Sequence, residues 1–159
     1  MLGRSEVEAG LLLTPWPLAT MVMAPLAGHL IERVHAGLLG AVGLALMAAG
    51  LLALALLPVA PSDIDIIWRM MLCGAGFGLF QSPNNHTIIT AAPRQRSGGA
   101  SGMLGTARLL GQSIGAALVA LMFNLFTDHA THVALLFAAA LAAVAAAVSG
   151  LRMTQKPQA

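Results

Sequence analysis

RMMLCGAGFGLFQSPNNHTIITAAPRQRSGGASGMLGTARLLGQSIGAALVALMFN, running from Arg69 to Asn124, joins two long apolar stretches through one short basic loop. Every strongly polar residue that lies well inside an apolar stretch of the chain falls here: Arg69, Gln81, Asn84, Asn85, His86, Arg108 and Gln112. In hydrocarbon an uncompensated polar group costs several kcal/mol, so such residues usually face a protein interior or a watery cavity.

Three further apolar stretches flank this run. Hydrophobic residues make up 58% of the chain and charged ones 9%, against roughly 25% charged in a soluble domain, which points to lipid as the solvent. A helix needs about 20 apolar residues to cross the bilayer, and the segments near 10–31, 37–58, 65–90, 100–125 and 131–152 meet that length. The expected fold is all-α, a polytopic membrane bundle of about five transmembrane helices forming one membrane domain over residues 1–159, with a cytoplasmic tail at 153–159. Barrel strands would be half as long and would alternate polar with apolar residues. A net charge of +2 with no aromatic-interleaved basic patch gives no reason to expect nucleic acid as a partner. Cys73 is the single cysteine, so no intrachain disulfide forms. The first stretch is a span and not a signal peptide, because Arg4, Glu6 and Glu8 make its flank net acidic and Pro15, Pro17 and Pro25 interrupt it. Ser5 and Glu8 have the spacing of a capping box.

Numbering the sides alternately puts Arg33, Arg94, Arg96, Arg152 and Lys156 on one side, with Arg4 on the other and Arg69 and Arg108 within spans. Asp63, Asp65 and Asp128 mark the opposite loops. The positive-inside rule then predicts a cytoplasmic C-terminus and an external N-terminus. An external start with an odd number of spans is what an earlier, missing part of a polytopic chain would produce.

The spans differ in kind. The second and fifth contain no strongly polar residue, so they read as peripheral helices able to face lipid all round, while the first, third and fourth read as central. Gly74 and Gly78, Gly98 and Gly102, and Gly111 and Gly115 are spaced four apart, which lets helix backbones approach. Pro25 and Pro83 each free a carbonyl that needs another partner or a cavity.

Each polar residue carries two readings. Arg69 follows Asp65 by four residues, a favourable helical ion-pair spacing; the alternative is an extracellular gate or cavity charge. Arg108 stands ten residues beyond Gly98, roughly 15 Å along a helix, too deep for easy exit; it either serves a conformational role with Gln112 or snorkels to the interface. Gln81, Asn84 and Asn85 recur at helical spacing around Pro83 and are candidates, with Gln112, for lining a substrate cavity. His86 reads as an interfacial histidine near the cytoplasmic end. GQSIG, Gly111 to Gly115, matches a hydrolase nucleophile pattern but lies inside a predicted membrane helix, without the strand-to-helix elbow that chemistry needs. The histidines form no convincing metal cluster, and neither cofactor nor catalysis is expected.

Three successive segments, AGLLLTPWPLATMVMAPLAGHLIER, RMMLCGAGFGLFQSPNN and PRQRSGGASGMLGTARLLGQSIGAAL, together resemble the C-terminal part of the fourteen-helix drug:proton antiporters of the major facilitator superfamily. The resemblance covers residues 7 to 125 and rests on Pro15, Ala24, Pro25, Gly28, Leu30 and Arg33; on Arg69, Gly74, Gly76, Gly78 and Pro83; and on Pro93, Gly98, Ala100, Ser101, Gly102, Arg108, Gly111 and Gly115. It implies the last five helices of the second six-helix bundle, with the second and fifth spans outermost. The loop GHLIERVHAG resembles the superfamily's Gly-x-Leu-x-Asp-Arg-x-Gly element, with Glu32 in place of the aspartate and His35 in place of the second glycine. There the acidic and basic pair helps latch the bundles, so Glu32 and Arg33 join Arg69, Arg108, Pro25 and Pro83 as conformational or gating candidates.

None of the six Asp and Glu residues lies well inside a span. A proton-coupling acid and the opposing bundle would have to come from elsewhere, and the resemblance implies that they lie in missing N-terminal helices of the same transporter. The resemblance implies proton-coupled export of drugs or other amphipathic compounds from the bacterial inner membrane by alternating access, with the bilayer, the substrate and protons as partners; this chain is not expected to transport alone. A five-helix assembly or regulatory partner, or a superfamily transporter of another solute, is the alternative.

Overall fold

The computed structural model describes residues 6–58, 60–126 and 129–151. These form helices α1 (Glu6–Leu13), α2 (Pro15–Leu30), α3 (Ala36–Ala55), α4 (Asp63–Thr90), α5 (Ser97–Leu125) and α6 (Ala130–Leu151), with a 3-10 turn at Arg94–Arg96 before α5. Among them, Val7–Leu30, Ala36–Ala55, Ser97–Leu125 and Ala130–Leu151 are long and apolar enough to cross a membrane. The 28 residues of α4 also suffice in length, but Asp63, Asp65, Arg69 and the amides at its other end dilute its apolar character.

The first expected span is divided between α1 and α2. Pro15 and Pro17 have no N–H to donate, so the helical ladder is interrupted at Thr14, whose own backbone stays helical at φ −59°, ψ −33°. Thr14 Oγ1 turns back onto the Gly10 carbonyl at 3.0 Å. Ser62 caps α4, accepting from Asp65 N at 3.2 Å and donating to Asp65 Oδ2 at 2.9 Å; His35 Nδ1 caps α3 by accepting from Gly37 N at 3.1 Å. The expected cap at Ser5, together with Arg4, Asp128, Arg152, Lys156 and the tail at 153–159, lies outside the described residues.

At the centre stands α4, held between α2 and α3 by three glycines in five residues. At 100° per residue Gly74 and Gly78 share one side, whereas Gly76 lies about 200° away from Gly74 on the other. Gly74 and Gly78 meet α2: a Cβ on Gly74 would overlap the Trp16 carbonyl, and one on Gly78 would stand 3.0 Å from the Thr20 carbonyl. Thr20 Oγ1 uses that proximity, lying 3.0 Å from both the Trp16 and the Gly74 carbonyl oxygens and so bridging the two helices. Gly76 meets α3, where a Cβ would sit 2.5 Å from the Gly43 carbonyl and 2.5 Å from Met47 N.

The peripheral reading of the second span needs correction. α3 packs between α4 and α6, with Leu39, Gly40, Gly43, Leu44, Gly50, Leu51 and Ala55 buried. Its glycines do this: a Cβ on Gly43 would lie 2.6 Å from Phe80 N, on Gly50 2.6 Å from Cys73 Sγ, and on Gly40 2.7 Å from Ser149 Oγ. A span without polar side chains can still be enclosed, because in lipid the packing signal is small size and close backbone approach. Ser149 Oγ also donates to the Gly37 carbonyl at 3.2 Å, tying α6 to α3. Leu51, Cys73, Ala139 and Ala142 form one buried cluster and Ala27, Leu39 and Leu79 another; no charged or polar side chain is buried among the described residues.

Of the helices expected at the centre, α5 lies at one edge of this chain. It has no buried residue, and Cβ atoms added at Gly98, Gly102, Gly111 or Gly115 would meet nothing within 4 Å.

Gly76→Ala and Gly74→Ala are each expected to destabilise the fold by about 1–3 kcal/mol, the usual cost of overpacking, lowering the melting temperature in detergent as followed by Trp16 and Trp68 fluorescence. Gly10→Ala, which faces open space, is expected to leave the transition in place or raise it slightly.

Candidate functional site

Between α4 and α5 opens a cavity of about 560 Å³. From α4 it is lined by Phe77, Phe80, Gln81, Asn84 and Asn85, and from α5 by Leu104, Ala107, Arg108, Gly111 and Gln112. Each set follows the spacing i, i+3, i+4, i+7, i+8, which is one face of a helix. Counting from Gly74, Phe77 points at about 300°, a direction separate from the α2 side and from the α3 side. The faces of α4 therefore divide: two are given to packing by glycine, and the third carries aromatics and amides into open space.

The four cavity candidates from the sequence, Gln81, Asn84, Asn85 and Gln112, all line this cavity, together with Arg108 and Gly111. Gln81, Asn84 and Asn85 are half-buried, whereas Arg108 and Gln112 are exposed on α5. Gly111 leaves room at the wall, since nothing stands within 4 Å of where its Cβ would be. Trp16 of α2 braces the other wall, its ring 6.3 Å from that of Phe77 at a tilt of 47°. The amides offer donors and acceptors without charge, and Arg108 is the only charged residue in the lining.

Pro83 is fully buried and turns away from the cavity, and the Thr87 hydroxyl donates to its carbonyl at 2.9 Å. Pro25 is exposed on α2, with His29 Nδ1 2.9 Å from its carbonyl oxygen. His86 is exposed and outside the cavity lining. Ser113 sits within the unbroken α5, so the elbow that a hydrolase nucleophile needs is not formed there.

Arg69 stands apart, eight residues and about 12 Å before Phe77 along α4. Its Nη1 lies 3.3 Å from Asp65 Oδ1 and donates to the Asp65 carbonyl at 3.0 Å. The guanidinium also lies over the Trp68 ring, 4.7 Å from its centroid, while Nε has no hydrogen-bond partner among the described residues. Glu32 and Arg33 are both exposed on the turn between α2 and α3. A feature not read from the sequence is a recess of about 380 Å³ lined by Glu8, Leu11, Leu12, Asp63 and Ile67. Its two carboxylates come from helices 55 residues apart in the chain, and no local pattern brings them together.

Residues 1–116 match the sequence model of the Major Facilitator Superfamily. Over 155 residues the chain is 80% identical to the uncharacterized transporter YebQ of Escherichia coli, covering 98% of this chain and 34% of that protein. It is 34% identical over 117 residues to the multidrug resistance protein Stp of Mycobacterium tuberculosis, covering 74% of this chain and 22% of that one. To the riboflavin transporter RibZ of Clostridioides difficile it is 31% identical over 119 residues, 75% of this chain and 26% of that one. The chain thus spans about a third or less of the length of these curated relatives. No solved structure matches it.

If the cavity holds water, thiols placed in it react with a charged maleimide, because the thiolate forms only where water reaches. With the buried Cys73 as the silent background, Asn85→Cys and Gln112→Cys in membranes are expected to label at least about tenfold faster than Leu110→Cys, which lies about 200° from Gln112 around α5.

Proposed function

The chain belongs to the major facilitator superfamily, and from that premise we propose that it forms part of a secondary active transporter exporting drugs or other amphipathic organic compounds, coupled to protons and working by alternating access. The observation that carries this reading is the cavity between α4 and α5, where aromatic rings, four uncharged amides and one guanidinium converge on about 560 Å³ of open space. Ligand sites of drug size combine an apolar wall with a few placed polar groups. An amphipathic compound finds both there. The relative named a multidrug resistance protein, 34% identical over 117 residues, supports the same class of cargo.

In this reading the cavity is one wall of a route near the bilayer midplane, as in transporters whose repeats rock around a central site. The opposing wall comes from the rest of the transporter, which the open faces of α5 accommodate. Among the described residues no carboxylate lines the cavity, and in this reading the proton-carrying acid also belongs to that remaining part. Pro25 and Pro83 weaken the ladders of α2 and α4 where bending is needed, Glu32 and Arg33 latch the cytoplasmic turn, and Arg69 with Asp65 restrains the outer end of α4. The basic turns face the cytoplasm of a bacterial inner membrane. A second reading, export or uptake of another solute, draws on the relative named a riboflavin transporter, 31% identical over 119 residues.

Two measurements test the proposal. An antibody to the tail RMTQKPQA is expected to detect, in source-cell membranes, a band about three times heavier than 16.3 kDa. Cells expressing that product are expected to accumulate less of an amphipathic drug than cells lacking it, and Asn84→Leu or Gln112→Leu to abolish most of the difference. A 16 kDa band with unchanged drug accumulation would sink the export reading and favour an assembly partner.

A further inference from the structure

Among the described residues Arg108 is the only charge lining the α4–α5 cavity. It makes no ion pair or hydrogen bond among the described residues, in contrast to Arg69 with its Asp65. Nor is a partner at hand among the carboxylates of the described residues. Of the six carboxylates, Glu6 and Glu8 belong to the first turn of α1, Asp63 and Asp65 to the first turn of α4, Glu32 lies on the α2–α3 turn, and Asp128 is outside the described residues. By contrast, Arg108 stands 11 residues into α5, roughly 16 Å from its start. A guanidinium at that depth needs an anionic or strongly accepting group to offset its desolvation.

The cavity offers further clues to what that group belongs to. Phe77 and Phe80 give it an aromatic wall, which suits a flat ring system. Asn84, Asn85 and Gln112 supply additional amide donors and acceptors for ring substituents. A guanidinium presents a planar fork that matches two oxygens of a carboxylate or an acidic enolate. A permanently cationic aromatic meets the opposite situation, a like charge and, among the described residues, no carboxylate in the lining to answer its own.

We propose that the α4–α5 cavity selects amphipathic aromatic compounds that carry an anionic oxygen edge, with Arg108 as the specificity-determining residue. The inference rests on the export reading above and narrows its cargo. It also assigns Arg108 a direct ligand contact in place of a purely conformational one.

The test uses the gene product at its natural length in everted membrane vesicles energised by a proton gradient, with two fluorescent probes. Fluorescein is the aromatic carboxylate and ethidium the aromatic cation. The wild type is expected to take up fluorescein in preference to ethidium. Arg108→Gln is expected to lower the ratio of fluorescein to ethidium uptake at least tenfold, with ethidium uptake rising. Arg108→Lys, which keeps the charge but loses the fork, is expected to lower fluorescein uptake about threefold while ethidium stays excluded, and it decides the matter if the glutamine variant does not reach the membrane. Equal loss of both probes in either variant would overturn the inference and make Arg108 a partner of the remaining helices. Uptake of ethidium but not fluorescein by the wild type would overturn it and leave the export reading standing. A wild type that moves neither probe overturns both.

Discussion

Close backbone contact along α4 is the constraint on which the remaining structure depends. In lipid, burial of apolar side chains gives helices little reason to associate, since the solvent is as apolar as the core. Association must come from dense contact between main chains and from hydrogen bonds that cross between helices. Gly74 and Gly78 bring α2 within reach, and only because of that approach does the Thr20 hydroxyl find the Gly74 carbonyl at 3.0 Å. Gly76 does the same for α3, against Gly43 and Met47. A single β-carbon at these positions would push against main chain, which cannot swing aside as a long side chain does.

The same solvent explains where the polar groups go. Thr14, Thr20, Thr87, Thr90 and Thr106 each turn their hydroxyls back to the carbonyl four residues earlier, at 2.7 to 3.0 Å. Such bonds satisfy a hydroxyl within its own helix and leave it compatible with hydrocarbon. The amides of Gln81, Asn84, Asn85 and Gln112 and the Arg108 guanidinium make no such bond among the described residues. They are gathered instead along the stripe of α4 that runs from Phe77 to Asn85, and on the matching stripe of α5. The cavity is thus a consequence of how the packing faces are assigned, before any ligand is considered.

Much of this was legible in the sequence because both stripes are local. Gln81, Asn84 and Asn85 lie within five residues of one another, and Arg108 with Gln112 is one helical turn, so the 3.6-residue period places each group on one face without tertiary information. The all-helical class followed from composition in the same way. What escaped was relational. Gly40, Gly43 and Gly50 on α3 have neighbours 23 to 109 residues away in Cys73, Gly76, Phe80 and Ser149, and the lack of polar side chains on α3 carries no sign of that enclosure. The division of the first span at Thr14 was signalled by Pro15 and Pro17, yet whether two prolines break a helix or only bend it depends on what carbonyl partners the surroundings offer. The recess between Glu8 and Asp63 is likewise a product of packing between α1 and α4.

The unequal anchoring of α4 and α5 bears directly on how such a cavity changes shape. α4 is fixed on two sides through glycine contacts that tolerate almost no displacement, and Trp16 braces Phe77 from α2. α5 buries no residue against the rest of this chain. Elements with few buried contacts are the ones that move at low cost. One wall of the cavity, with its aromatics and three of its amides, is therefore the firmly held one, while the wall bearing Arg108 and Gln112 is held by few contacts within this chain. A ligand gripped by Arg108 and stacked on Phe77 and Phe80 would join the two walls. Its binding energy would then act on the separation between a firmly held helix and a loosely held one, and under the proposed export that separation is the coordinate to be changed.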